Sequence, residues 1–180
     1  MHDRVYALCG VIGPLLAYVF VGVSIMLSPW FTWESSALSD LGHSVNSEVA
    51  SIFNIGLLFA GFLVMIYATT VFKKHAKYTS GCLVLGAFSL QLVATFDEVY
   101  GFLHFAVSVL FFVCLGVTTV AYAIEKKSSL AVAAFIIGLV SWIVYSMKIF
   151  MIGVSVPETI SSVAVVPLLM EATIKIYLGR

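Results

Sequence analysis

Charge is what this sequence has least of. Only 10% of its 180 residues are Asp, Glu, Lys or Arg, while 62% are hydrophobic and the mean hydropathy is +1.11. Soluble domains carry about 25% charged and about 45–50% apolar residues. A chain this apolar could not cover its surface with polar groups in water, so a soluble globule is excluded. The net charge of zero and a pI near 6.9 exclude a basic surface built for nucleic acid. Cysteine is scarce as well. Cys9, Cys82 and Cys114 all lie inside apolar runs, form no CxxC pair and are odd in number, which excludes a disulfide scaffold or a zinc ribbon. They are expected to be buried thiols acting as small hydrophobes. The catalytic signatures H-E-x-x-H, H-x-x-x-H and G-x-S-x-G are all missing.

What remains is a series of long apolar runs. Residues 5–27, 49–72, 78–96, 102–124, 129–149 and 156–177 are each long enough to cross about 30 Å of hydrocarbon. Backbone in lipid must satisfy its own hydrogen bonds, so these runs predict helices. A β-barrel would alternate apolar and polar residues over about 10 positions, and Leu130–Val144 shows no such alternation. The first run is too long for a signal-peptide core and precedes no small-residue cleavage site, so it is read as a retained span. The spans leave only short connections, with no room for a soluble domain. The expectation is one domain over residues 1–180, an all-α membrane protein built as a compact bundle of six transmembrane helices in the cell membrane.

Orientation follows from Lys and Arg. Arg4, Lys73, Lys74, Lys77, Lys126, Lys127, Lys175 and Arg180 fall on one side of a six-span chain, and Lys148 lies toward the other. Both termini are therefore expected in the cytoplasm. Glu34, Asp40, Glu48, Asp97, Glu98 and Glu158 gather at the opposite, outer ends. Helix capping explains about half of these acids: Ser155 and Glu158 fit an S-x-x-E capping box with Pro157 in the first turn, and Asp97 and Glu98 precede span four at the positive end of its dipole. The loop over residues 28–48 is the one connection with room for structure. Trp30, Phe31 and Trp33 suit a membrane interface, and Ser39-Asp40-Leu41-Gly42 predicts a short helix ending at Gly42 that folds back over the bundle mouth.

Several polar groups share that outer depth. His104 opens span four, with Ser108 at i+4 on the same face. Asp40 and His43 arrive on the long loop, Asn54 and Gln91 lie in the outer halves of spans two and three, and Lys148 lies near the end of span five. Singly, each has a bland explanation: snorkelling for Lys148, interhelical bonding for Asn54 and Gln91. Together they predict a polar pocket, because ionisable groups in a membrane are costly and mark function. His104, Asp97, Asp40 and Ser108 are the candidate catalytic residues. Asp40, His43, Asp97, Glu98 and His104 are the donors a divalent metal would use, although no diagnostic spacing supports it and the sequence identifies no cofactor. Glu171 stands apart, one turn after Pro167 and closer to mid-membrane. Pro167 and Pro14 each remove a helix hydrogen bond, and interrupted helices with a buried acid suit a proton relay. A Glu171–Lys175 pair at i+4 explains the acid equally well.

The order Ser36-x-x-Ser39-Asp40-Leu41-Gly42, Asn54, Phe96-Asp97, Gly101-x-x-His104 and a late Glu171 resembles the archaeal and bacterial six-span family called domain of unknown function 998, over nearly the whole chain. The family is more remotely similar to six-span eukaryotic proteins of the damage-regulated autophagy modulator group, which are linked to lipid handling. Two positions depart from the pattern: Phe96 stands where a proline often precedes the acid, and Ala172 stands where an arginine often follows the late Glu. The resemblance implies a fold and no established activity. The expected partners are membrane lipids and the expected role is lipid-related binding or catalysis. A small proton-coupled transporter using Glu171, or a scaffold without chemistry, are the alternatives. Depth ranks them: the pocket lies at headgroup level, whereas transporters keep key polar groups near the midplane.

Overall fold

The structure, a computed structural model, describes residues 2–178. It contains six long helices: α1 (His2–Met26), α2 (Ala50–Tyr67), α3 (Lys77–Thr95), α4 (Phe102–Lys126), α5 (Ser129–Ser146) and α6 (Ser155–Leu178). All six are long and apolar enough to cross a membrane, and no strand occurs among the described residues. The protein is therefore an integral, multi-pass membrane protein. Its surface agrees with that assignment. Phe59, Phe88, Val113, Ile136 and Leu139 are exposed along the spans, as expected of side chains facing lipid rather than water.

The chain ends each helix with local chemistry. α2 continues through one π-helical turn, Ala68–Phe72, into Lys73–His75, and extended backbone at Ala76 then separates it from α3. Thr69 donates to the Met65 carbonyl and Ser80 to the Ala68 carbonyl, so hydroxyls add second donors to carbonyls that backbone amides already reach. Lys127 in the left-handed region closes α4, and the Ser128 hydroxyl caps α5 by accepting from the Ala131 amide. Pro14 and Pro167 lie inside α1 and α6, yet both helices run on through them. The expected interruptions are absent because each proline removes only one ladder bond while the flanking turns stay packed.

The helices form a closed ring in the order α1, α2, α3, α4, α5, α6, each touching the next and α6 returning to α1. The α1–α2 seam is close. A Cβ on Gly56 would lie 2.2 Å from the Phe20 Cβ, so only glycine allows this approach. The α4–α5 and α6–α1 seams are looser than the α1–α2 and α3–α4 seams. At one end Lys74 pairs with Asp3, Arg4 stacks over Tyr177 and Lys126 donates to the His75 carbonyl. This is the lysine end. Arg180, grouped with it from the sequence, lies outside the described residues. The other end holds Asp40, Asp97, Glu98 and Glu158 and is called the acidic end below.

Candidate functional site: a covered mouth over apolar cavities

At the acidic end the loop over residues 27–49 lies across the ring. Its 3₁₀ turn, Ser39–Gly42, ends at Gly42, and Leu41 is fully buried against Phe53, Val93 and Val107. Burying this backbone requires partners for its polar groups. The Gly153 amide donates to the Trp33 carbonyl at 2.8 Å and the Ser155 amide to the Ser36 carbonyl at 3.0 Å. The Leu38 amide donates to Glu158 Oε2 at 2.7 Å, Asn54 Nδ2 to the Gly42 carbonyl at 2.8 Å, and the Ser47 hydroxyl to the Leu41 carbonyl at 2.8 Å. Residues from α2, the α5–α6 connection and α6 thus pin the loop as a lid.

Two carboxylates meet at the turn of this lid, and a third lies within electrostatic range. The Ser39 hydroxyl donates to Glu98 Oε1 at 2.6 Å, and the Asp40 carboxylate, which accepts from the Ala37 amide at 2.8 Å, lies against Glu98. Burial, and then the neighbouring Asp40 charge, raise the Glu98 carboxyl above its ordinary value, and the Ser39 bond only partly offsets them. Glu158, 8% exposed, is close enough to feel both acids. His104 is buried beside them. Its Nδ1 lies 2.7 Å from the Phe96 carbonyl oxygen, and its Nε2 lies 3.2 Å from Ser108 Oγ. A carbonyl can only accept, so Nδ1 carries the proton in the neutral ring and Nε2 faces the serine hydroxyl with its lone pair.

Two apolar cavities open from this cluster. A central one of about 320 Å³ runs down the middle of the ring between α1, α2, α3, α4 and α6, reaching Val64, Leu83 and Leu169. A lateral one of about 1290 Å³ is a groove between α4, α5 and α6 that opens sideways toward lipid, its walls including the exposed Val113 and Leu139, and it follows α4 as far as Ile124. Ser39, Ser108 and Glu158 line both, and Glu98 and His104 line the lateral one. Among the described residues, no Lys or Arg lines either cavity.

The structure brings together Asp40, Glu98, His104 and Ser108 of the residues proposed from sequence. It places the others elsewhere. The Asp97 carboxylate accepts from the Ser44 and Val99 amides at 3.2 and 3.0 Å and lines neither cavity. Burial tends to raise its pKa, but these hydrogen bonds and the nearby His43 outweigh burial and hold it below the ordinary value. Asp97 therefore fastens the lid and caps the 3₁₀ turn Glu98–Tyr100. The His43 ring contacts the Val45 and Asn46 amides and the Asn46 side chain, within its own turn. Lys148 is exposed, with a positive φ of 52°, in the connection after α5. Asn54 holds the lid from α2, while Gln91 packs against Gly61 and leaves its Nε2 without a partner. Glu171 lines neither cavity and pairs with Lys175; its Oε2 is buried without a hydrogen-bond partner, and the nearby group that feels its charge is the Tyr122 hydroxyl. Among the described residues no group of three or more His, Cys, Asp and Glu side chains is arranged to hold a metal ion.

Glu158 is the residue the sequence misassigned. The capping-box reading would turn its carboxylate back to Ser155, but the carboxylate instead accepts from Leu38, 120 positions away. The Ser155 hydroxyl is buried without a partner, and its amide goes to Ser36. The available signal was an acid placed one turn inside an apolar run, where a solvated cap would gain little.

These features define a six-helix membrane protein with a covered polar mouth above apolar cavities. Residues 11–174 match the model of the family described as protein of unknown function (DUF998), and the chain belongs to that family. No curated protein and no solved structure matches it.

Proposed function

We propose that this protein binds an amphiphile of the cell membrane, most simply a lipid of the outer leaflet. Its chains lie in the two apolar cavities and its polar group lies beneath the lid, among Ser39, Glu98, His104 and Glu158. One observation carries the reading: both apolar cavities converge on the same buried polar cluster. Ligand sites of this kind are mostly apolar, with a few convergent polar groups that fix orientation. The lateral cavity follows the loose α4–α5 seam, which supports entry from the bilayer rather than from water. An anionic headgroup would meet carboxylates and no countercharge, so a headgroup bearing hydroxyls or an amine fits better.

Mass spectrometry of lipids retained after purification in mild detergent tests this. Gly22 lines the central cavity and an added Cβ there would meet nothing within 4 Å, so Gly22→Phe fills that cavity without a backbone clash. Gly116→Leu does the same in the lateral cavity, where the nearest atom to a Cβ is Phe135 Cε2 at 3.7 Å. Each should lower lipid retention at least about fivefold, on the order of 1 kcal/mol. Gly81→Phe, an equal addition lining neither cavity, should retain lipid like the wild type. Equal retention in all four proteins would refute the reading.

A further inference from the structure

Hydroxyls inside apolar helices normally turn back to a carbonyl of their own helix, and most here do. Ser24 donates to Phe20, Ser89 to Leu85, Thr118 to Cys114 and Ser141 to Gly138. Ser108 departs from the pattern. Its hydroxyl meets His104 Nε2, one turn earlier on α4, at 3.2 Å. The imidazole is fixed from its other side by the Phe96 carbonyl at 2.7 Å. Phe96 is the C-cap of α3, so that carbonyl lies at the negative end of a helix dipole, where a positive charge is stabilised. Glu98 adds a negative charge within range of His104. A hydroxyl, a base with its lone pair toward it, and an acceptor that orients the base form the arrangement by which serine is activated as a nucleophile.

We propose that Ser108 is a nucleophile toward the acyl ester of a bilayer lipid, with His104 as its general base. The inference rests on the binding reading above. Ser108 lies six residues into α4 from Phe102, about 9 Å below the mouth at 1.5 Å per residue. A lipid whose polar group sits at Glu98 and Glu158 therefore places its ester linkage near Ser108. Ser108 Oγ bonds to the ester carbonyl carbon as its proton moves to His104 Nε2. The carbon–oxygen bond to the alcohol part then breaks, and the departing oxygen takes that proton. The acyl group remains on Ser108 until water, deprotonated by the same Nε2, attacks the carbonyl carbon and releases a fatty acid and the free serine. Serine, histidine and water balance the sequence, and no oxidant or metal enters it. Glu98 is the carboxylate within electrostatic range of the ring on which positive charge develops in each attack.

The test is labelling of the full chain in phosphatidylcholine vesicles by an alkyl fluorophosphonate, which bonds only to activated serines. The expected result is one adduct, located by peptide mass spectrometry at Ser108. Ser108→Ala should abolish it, His104→Ala should slow it at least tenfold, and Ser89→Ala should leave the rate unchanged. The melting temperature of each variant shows that it is folded, and either site variant suffices if the other fails to fold. No adduct on the wild type, an adduct that survives Ser108→Ala, or an equal rate in His104→Ala would overturn the assignment. Lipid retention separates the two readings. Retained lipid without labelling defeats this inference alone, whereas labelled Ser108 without retained lipid defeats the binding reading.

Discussion

Gly153→Ala should loosen the lid while leaving the six-helix ring intact. A Cβ at Gly153 would lie 2.5 Å from the Ser36 carbonyl oxygen and 2.9 Å from the Ser36 nitrogen. These are backbone atoms of a pinned segment and cannot swing aside as a side-chain tip would. Gly153 is not among the residues with positive φ, so the perturbation is contact alone. Overpacking of this kind costs about 1–3 kcal/mol. Relief requires residues 33–36 to move, which weakens the Gly153–Trp33 and Ser155–Ser36 hydrogen bonds, worth about 0.5–1.5 kcal/mol each. The segment takes the cheaper of these alternatives, and a net cost of about 1–3 kcal/mol makes lid opening roughly five- to one-hundred-and-forty-fold more frequent. Hydrogen–deuterium exchange in lipid nanodiscs reads this directly. Peptides covering residues 33–40 and 150–156 should exchange faster by that factor, and a peptide within α3 should not change. Unaltered exchange at residues 33–40 would refute the argument that these bonds hold the lid.

The two acids at the mouth predict opposite pH effects. The Asp97 pKa is depressed, so its stabilisation is present above the ordinary carboxylate range and is lost as pH falls through it. Asp97→Asn should lower the melting temperature at pH 7, on the order of 2–4 °C, and flatten the acid limb of the stability profile. The Glu98 pKa is raised, so its folded-state advantage belongs to the protonated form and is lost as pH rises. Glu98→Gln should raise the melting temperature at pH 7, and the gain should vanish below the ordinary Glu value; a loss at pH 7 would count against the buried carboxylate cluster. Reporter fusions after Lys74 and Lys127 should read cytoplasmic and fusions near Asn46 and Glu98 external, and an external signal after Lys127 would reverse the proposed orientation.

The helices were legible because lipid imposes a simple rule: about 20 apolar residues, with every backbone group bonded inside the segment. That rule gave the six helices, with ends differing by a few residues, as where α1 begins at His2 rather than Val5. His104 and Ser108 were legible for a related reason, since an ionisable residue inside such a run calls for a partner and i+4 spacing supplies one. The lid's attachments were not legible. Those at Trp33, Ser36 and Leu38 join the lid's backbone to groups more than a hundred positions away, as Leu38 joins Glu158, and backbone bonding carries no side-chain signature. Asp97 and Glu98 show the same limit. Adjacent in sequence and alike in chemistry, they face different surroundings, one turned to amides and the other to carboxylates. The π-helical turn at Ala68–Phe72 had no signal either, because the same residues propagate an ordinary helix equally well.

The route of the lid also sets an order of events during biogenesis. Its residues, Trp33 to Leu38, emerge early from the ribosome, while their partners Gly153, Ser155 and Glu158 belong to the last connection and the last helix. Until α6 has inserted, the loop lacks its partners at that edge and the central cavity lacks one of its five walls. Closure of the mouth therefore reports that all six helices are in the membrane. A nascent chain halted before α6 would present an open, lipid-accessible cleft, which is the kind of exposed surface membrane quality control can recognise.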